Sequence, residues 1–183
     1  MLPDTQKRIL IVDDVISNAV LLKRLLSLYC CDIASSGKEA LQKINASPPD
    51  AVLLDVMMPD MDGFAVCAQI KQTPHLQKIP IIMITALNDK QSKLKGLQTG
   101  ADEFLSKPFD VSELTIRIAN ILKVKEYNDF LVCYNDLLAK QLAEKTRDLE
   151  HSYLETIHRL TMSAEFKDSD TGSHINRICL YTN

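Results

Sequence analysis

The sequence predicts a doubly wound α/β fold: an open sheet of five parallel strands with helices on both faces, extended by a long C-terminal helix. Three observations predict it. From Arg8 to about Lys123, short apolar runs rich in branched residues alternate with stretches whose apolar residues fall three and four apart. The runs are continuous, as expected of strands buried on both faces of a parallel sheet. After Lys123 no strand pattern recurs, and a single amphipathic stripe continues to Leu160.

Taken in order, Ile9 to Val12 is the first strand and Ala19 to Leu28 the first helical pattern. Cys31 to Ala34 is a weaker strand, followed by helical spacing over Lys38 to Ile44. Ala51 to Leu54 forms the third strand and Phe64 to Ile70 the third helix. Ile79 to Ile84 is the fourth strand, with helical spacing at Leu94 to Leu97; Glu103 to Ser106 is the fifth, before the helix Val111 to Leu122. Beyond it, Val124, Tyr127, Leu131, Tyr134 and Leu138 are spaced 3-4-3-4, and Leu142, Leu149, Tyr153 and Leu160 carry on after one irregular step. This pattern resembles a coiled-coil seam with a stutter. A helix from Val124 to Leu160 is about 55 Å long at 1.5 Å per residue, so it must project from a small domain or pair. Charged flanks (Lys140, Glu144, Lys145, Arg147, Asp148, Glu150) keep the stripe narrow, which favours a parallel homodimer through residues 124–160 over the other reading of the stripe, an amphipathic helix lying on its own domain. The resulting plan is a leader over 1–7, a domain over 8–123, a coiled-coil linker helix over 124–160 and a tail over 161–183.

Composition narrows the functional classes. Of 183 residues, 46% are hydrophobic and 25% charged, with only 5 Gly and 7 Pro, which excludes disordered and low-complexity classes. The 21 basic and 24 acidic residues sum to -3, which provides no basic field for nucleic acid or an anionic membrane, and neither is expected as a partner. Five cysteines, an odd number with no C-x-x-C pair, suggest neither a zinc ribbon nor a disulfide framework, and fit a reducing cytoplasm. The apolar run ending at Val12 is too short for a signal peptide or a membrane span.

In an open parallel sheet, ligands bind beyond the carboxyl ends of the strands. Here those ends are Asp13 and Asp14, then Asp55, then Thr85 and Ala86, then Ser106, Lys107 and Pro108. Three carboxylates in one small volume raise each other's pKa unless a cation lies among them. Mg²⁺ suits such a set, since it takes one or two carboxylates and keeps positions for water and phosphate oxygens. A carboxylate can itself be the nucleophile and form an aspartyl phosphate. Asp55 is the candidate because it closes a central strand and meets a loop, Val56 to Asp60, whose backbone can add a carbonyl ligand. Lys107 can pair with phosphoryl oxygens as a point charge, and the Thr85 hydroxyl can donate to one of them.

As a set, Ile11-Val-Asp-Asp14, Leu54-Asp-Val-Met-Met-Pro-Asp-Met-Asp-Gly63, Ile84-Thr-Ala86, Gly100-Ala101 and Lys107-Pro-Phe109 resemble the receiver domain of bacterial two-component response regulators, with its flavodoxin-like fold. The resemblance implies that Asp55 accepts a phosphoryl group from a sensor histidine kinase or phosphotransfer protein. It implies Mg²⁺ on Asp14, Asp55 and the Met57 carbonyl, with Asp13 acting largely through water. Thr85 and Phe104 match the family's switch pair, Phe104 lacking the tyrosine hydroxyl of many relatives. Asp60-Met-Asp-Gly-Phe64 has the look of the D-x-D-G motif of haloacid-dehalogenase-type phosphatases, but Pro59 stands where that motif needs a strand.

The tail carries Thr171-Gly-Ser-His174-Ile-Asn-Arg177, which resembles the opening of HD-GYP phosphodiesterase domains. Asp170 and His174 would be remnants of that domain's metal site, although many relatives have Glu at the position of Asp170. The resemblance implies an output domain that hydrolyses cyclic di-GMP and is mostly missing here, so the chain as given is expected to be no enzyme. The alternative is a constitutive coiled-coil dimerisation module with an inert receiver.

Overall fold

A computed structural model describes residues 6–86 and 98–167. Its sheet contains β1 (Arg8–Val12), β2 (Cys30–Ala34), β3 (Ala51–Asp55), β4 (Ile81–Thr85) and β5 (Glu103–Ser106), all parallel, in the order β2-β1-β3-β4-β5. The helices are α1 (Ile16–Leu25), α2 (Gly37–Ala46), α3 (Gly63–Gln72) and α4 (Val111–Lys167). The helix expected at Leu94 to Leu97 lies outside the described residues.

Both faces of the sheet are covered, which explains the unbroken apolar strands. Leu10, Val12, Val52, Leu54, Ile81 and Met83 pack with Ala40, Ile44, Phe64, Val66 and Ile70 of α2 and α3. Ile9, Ile11, Leu53, Ile82, Ile84 and Leu105 pack on the other face with Ala19 and Leu22 of α1 and Leu114, Ile118 and Leu122 of α4. At roughly 1.5–3 kcal/mol per buried side chain, these two layers dominate the driving force for folding.

Element boundaries differ from the periodic reading where capping and backbone chemistry decide. The helix expected from Ala19 begins at Ile16, because the preceding turn is closed by Asn18 N–H donating to the Val15 carbonyl. The fourth strand starts at Ile81, two residues later than the apolar run suggests. Pro80 has no N–H to give a ladder, whereas the Ile81 N–H is taken by Asp102 at 2.8 Å. Ser36 caps α2, its hydroxyl accepting from Glu39 N–H, while Glu39 reaches back to the Ser35 N–H at 2.8 Å, a reciprocal capping arrangement. With Lys43 as the largest influence and Ser35 adding to it, the Glu39 carboxyl is held down to about 2.

The stretches Val111 to Leu122 and Val124 to Leu160 form a single 57-residue helix. No Gly or Pro interrupts it, so nothing in the backbone stops it at Lys123. The chain divides into two units between Asp129 and Phe130, inside this helix. Within the second unit, Phe130, Tyr134, Leu137, Leu142, Leu149, Tyr153 and Leu160 are all exposed. Phe130 and Tyr134 stack with ring centroids 5.9 Å apart. Among the described residues no helix is long and apolar enough to cross a membrane.

Candidate functional site

The sheet register brings the site together. Val12 pairs with Leu54, so Asp13 leaves β1 beside Asp55, the last residue of β3. Asp55 in turn pairs with Ile84, and Thr85 with Ser106, which sets Lys107 one residue beyond. The strand order reverses between β2 and β3 on either side of β1, so the acids occupy the topological switch point, where doubly wound sheets bind ligands.

Asp13, Asp14 and Asp55 each present a carboxylate oxygen, all within 4.8 Å of one another. Asp13 is 1% and Asp55 6% exposed, so water screens neither well. Lys107 Nζ lies 3.3 Å from Asp13 Oδ2 and 3.2 Å from Asp55 Oδ1. One ammonium is thus shared by two of the three carboxylates. Burial pushes the Asp55 carboxyl above its ordinary pKa; Lys107 opposes this, and the charges of Asp13 and Asp14 reinforce it. An all-oxygen set with excess negative charge fits a hard divalent cation and offers little to a soft metal.

Backbone contacts hold the strand ends. Val56 N–H donates to the Ile84 carbonyl at 3.0 Å, and Lys107 N–H to the Thr85 carbonyl at 2.7 Å. The peptide between Lys107 and Pro108 is cis. Gly63 opens α3 directly against β3: a Cβ there would lie 2.3 Å from the Asp55 carbonyl oxygen and 2.9 Å from Val56 Cα. Asp62 caps that helix by accepting from Ala65 N–H at 2.7 Å. The D-x-D-G run is therefore a loop and a helix cap, not the end of a strand. Asp60 bends this loop with a positive φ of 65°.

Of the other residues singled out in the sequence, Thr85 is buried at the end of β4 and Ala86 follows it, exposed. Met57 is exposed in the loop after Asp55. Phe104 is half-buried against the core layer of α2 and α3. Asp170 and His174 lie outside the described residues. Sequence reasoning missed Asn18, whose side-chain amide donates to Asp13 Oδ1 at 3.2 Å. The available signal was an amide in the first turn of the helix that follows an Asp-Asp strand end.

An open, doubly wound sheet with an acidic, lysine-paired cluster at its switch point defines a CheY-like architecture with a cation-ready carboxyl edge. Residues 9–119 match the response regulator receiver domain, and the chain belongs to that family. Over 174 residues it is 34% identical to the probable cyclic di-GMP phosphodiesterase of Vibrio cholerae, covering 94% of this chain and 40% of that protein. It is 42% identical over 120 residues to the response regulator PleD of Caulobacter vibrioides, covering 64% of this chain and 26% of that protein. The chain thus spans less than half the length of these relatives. Among solved structures, a CheY-like receiver domain protein from Methanospirillum hungatei superposes with a TM-score of 0.64 at 28% identity, covering 68% of this chain and 99% of that one. A two-component response regulator from Clostridium difficile gives 0.60 at 32% identity, covering 64% and 97%.

Proposed function

We propose that this chain is a phosphorelay switch in which Asp55 accepts a phosphoryl group from a phosphohistidine of a sensor histidine kinase or phosphotransfer protein. The observation that carries the reading is the placement of Asp55: buried at a strand end, 3.2 Å from Lys107 and within 4.8 Å of two further acids. In the transfer, the bond from phosphorus to the imidazole nitrogen breaks as a bond forms to an Asp55 oxygen, and the imidazole retains the electron pair. Asp14, Asp55 and the Met57 carbonyl would hold Mg²⁺, with Asp13 acting through water. When bound, the ion supplies positive charge against the phosphoryl oxygens. Lys107 leaves the carboxylates to pair with a phosphoryl oxygen, a point charge replacing one salt bridge by another. The Thr85 hydroxyl and the backbone at Ala86 line the same edge. A hydroxyl drawn to the phosphate vacates space that the Phe104 ring can enter, which shifts the population between two receiver conformations. Val15, Ile16 and Met57, next in sequence to the acids, are exposed apolar residues suited to a docking partner.

The kinship over 174 residues with a probable cyclic di-GMP phosphodiesterase supports an output of that kind downstream. In this reading, residues 8–123 form the receiver, 124–160 pair two copies, and 161–183 begin the output domain. A small phosphodonor supplied with Mg²⁺ should label the protein, and Asp55→Asn should reduce labelling to background. Persistent labelling of that variant would remove Asp55 from its role. The exposed stripe through Leu142, Leu149, Tyr153 and Leu160 also supports a second reading, a constitutive dimer with an inert receiver. Solution mass discriminates: a switch changes mass or shape on phosphorylation, whereas a constitutive dimer keeps both. Leu149→Lys should give a monomer in either case.

A further inference from the structure

We infer that Asn18 is a positioning residue for the acid cluster: its side-chain amide fixes the Asp13 carboxylate so that one oxygen, not two, faces the site. The inference rests on the reading of the cluster as a cation site. The two oxygens of Asp13 have different surroundings. Oδ1 accepts from the Val15 N–H at 2.9 Å and from Asn18 Nδ2 at 3.2 Å. Oδ2 faces Lys107 Nζ at 3.3 Å. With Asp13 1% exposed, solvent cannot replace a lost donor.

Both donors to Oδ1 come from one turn. Asn18 lies in the first turn of α1 and its own N–H donates to the Val15 carbonyl at 2.9 Å, so the backbone that carries the amide is tied to the backbone that carries the other donor. Two donors on one oxygen restrict rotation of the carboxylate. With Val15 N–H alone, the carboxylate can turn both oxygens toward Lys107. That would draw the ammonium away from Asp55, which it now meets at 3.2 Å. Asn18 touches none of the reacting atoms; it acts through Asp13, as outer-shell partners of metal ligands do.

The test is calorimetric titration of the full chain with Mg²⁺, paired with the melting temperature in a chelator. Asn18→Ala should weaken Mg²⁺ binding by about 10-fold while the metal-free melting temperature stays within about 2 °C of wild type. Asn18→Gln, which keeps an amide donor, should recover most of the affinity. On an Asp13→Ala background, adding Asn18→Ala should change the affinity no further, because the carboxylate through which it acts is gone. Wild-type affinity in Asn18→Ala, an equal further loss on the Asp13→Ala background, or a fall in melting temperature without a change in affinity would each overturn the inference. If the wild-type chain binds no Mg²⁺, both this inference and the cation-site reading fall; if it binds and Asn18→Ala binds as tightly as wild type, this inference alone does.

Discussion

Both ends of the sheet pair a lysine with aspartate, one acid at the amino end and a group of three at the carboxyl end, and the two arrangements serve different ends. At the amino end, Lys71 Nζ meets Asp102 Oδ2 at 2.7 Å and the Ile79 and Gln77 carbonyls at 3.0 and 3.3 Å. Asp102 Oδ2 also takes the Ile81 N–H at 2.8 Å. One charge meets one charge, and the Lys71 ammonium has three acceptors; this cluster ties the end of α3 to the starts of β4 and β5. At the carboxyl end, Lys107 is shared between Asp13 and Asp55 at 3.3 and 3.2 Å, with Asp14 in the same group. Its ion pairs are longer than the 2.7 Å of Lys71 with Asp102, and its charge falls short of the acids around it. A balanced cluster stabilises a fold, whereas an unbalanced one is complete only when a cation joins it.

The difference between the two ends is lost most completely if the strand end carrying Asp55 is displaced. Gly63→Ala brings a Cβ onto the backbone of Asp55 and Val56, atoms that cannot move aside as a flexible side chain would. We expect a loss of about 3 kcal/mol, read by denaturant unfolding, together with loss of Mg²⁺ binding; a variant as stable as wild type would show that the helix start can slide. Next in size is Lys71→Met, which removes three contacts at the amino end. It should cost about 2 kcal/mol and leave Mg²⁺ affinity unchanged, which separates the stabilising end from the ligand-binding end. Loss of Mg²⁺ affinity in this variant would erase the distinction.

The smallest effect has the opposite sign. Because burial raises the Asp55 pKa, the folded state favours the protonated carboxyl over the ionised one. Its contribution is therefore most favourable in acid, declines as pH rises through the ordinary carboxylate range to the raised value, and is level above it. Asp55→Asn removes that decline. In metal-free buffer at neutral pH the variant should be more stable by about 1 kcal/mol, with a shallower dependence on the acid side. A variant less stable than wild type under those conditions would mean that the Lys107 pairing outweighs the burial cost.

How far the sequence revealed these features follows from the range of the forces involved. The sheet was legible because burial on both faces leaves an unmistakable mark: Ala51 to Leu54 and Ile82 to Ile84 have no polar interruption. The acid cluster was legible because strand ends in a parallel sheet share an edge, so Asp13, Asp14, Asp55 and Lys107 could be placed together without coordinates. What escaped was side-chain reach across a turn, as in Asn18 to Asp13, and across elements, as in Lys71 to Asp102, since neither leaves a periodic trace. The join at Lys123 escaped for another reason: the buried face of the first turns of α4 and the exposed stripe farther along answer to different surroundings, although the backbone is one helix.

In the proposed switch, Asp55 carries the phosphoryl group. Borohydride reduction converts an aspartyl phosphate to homoserine, so peptide mapping after treatment with a small phosphodonor and Mg²⁺ locates the acceptor. We expect homoserine at position 55 and at no other aspartate, and none when Mg²⁺ is chelated. Homoserine at position 13 or 14, or labelling indifferent to the chelator, would contradict it.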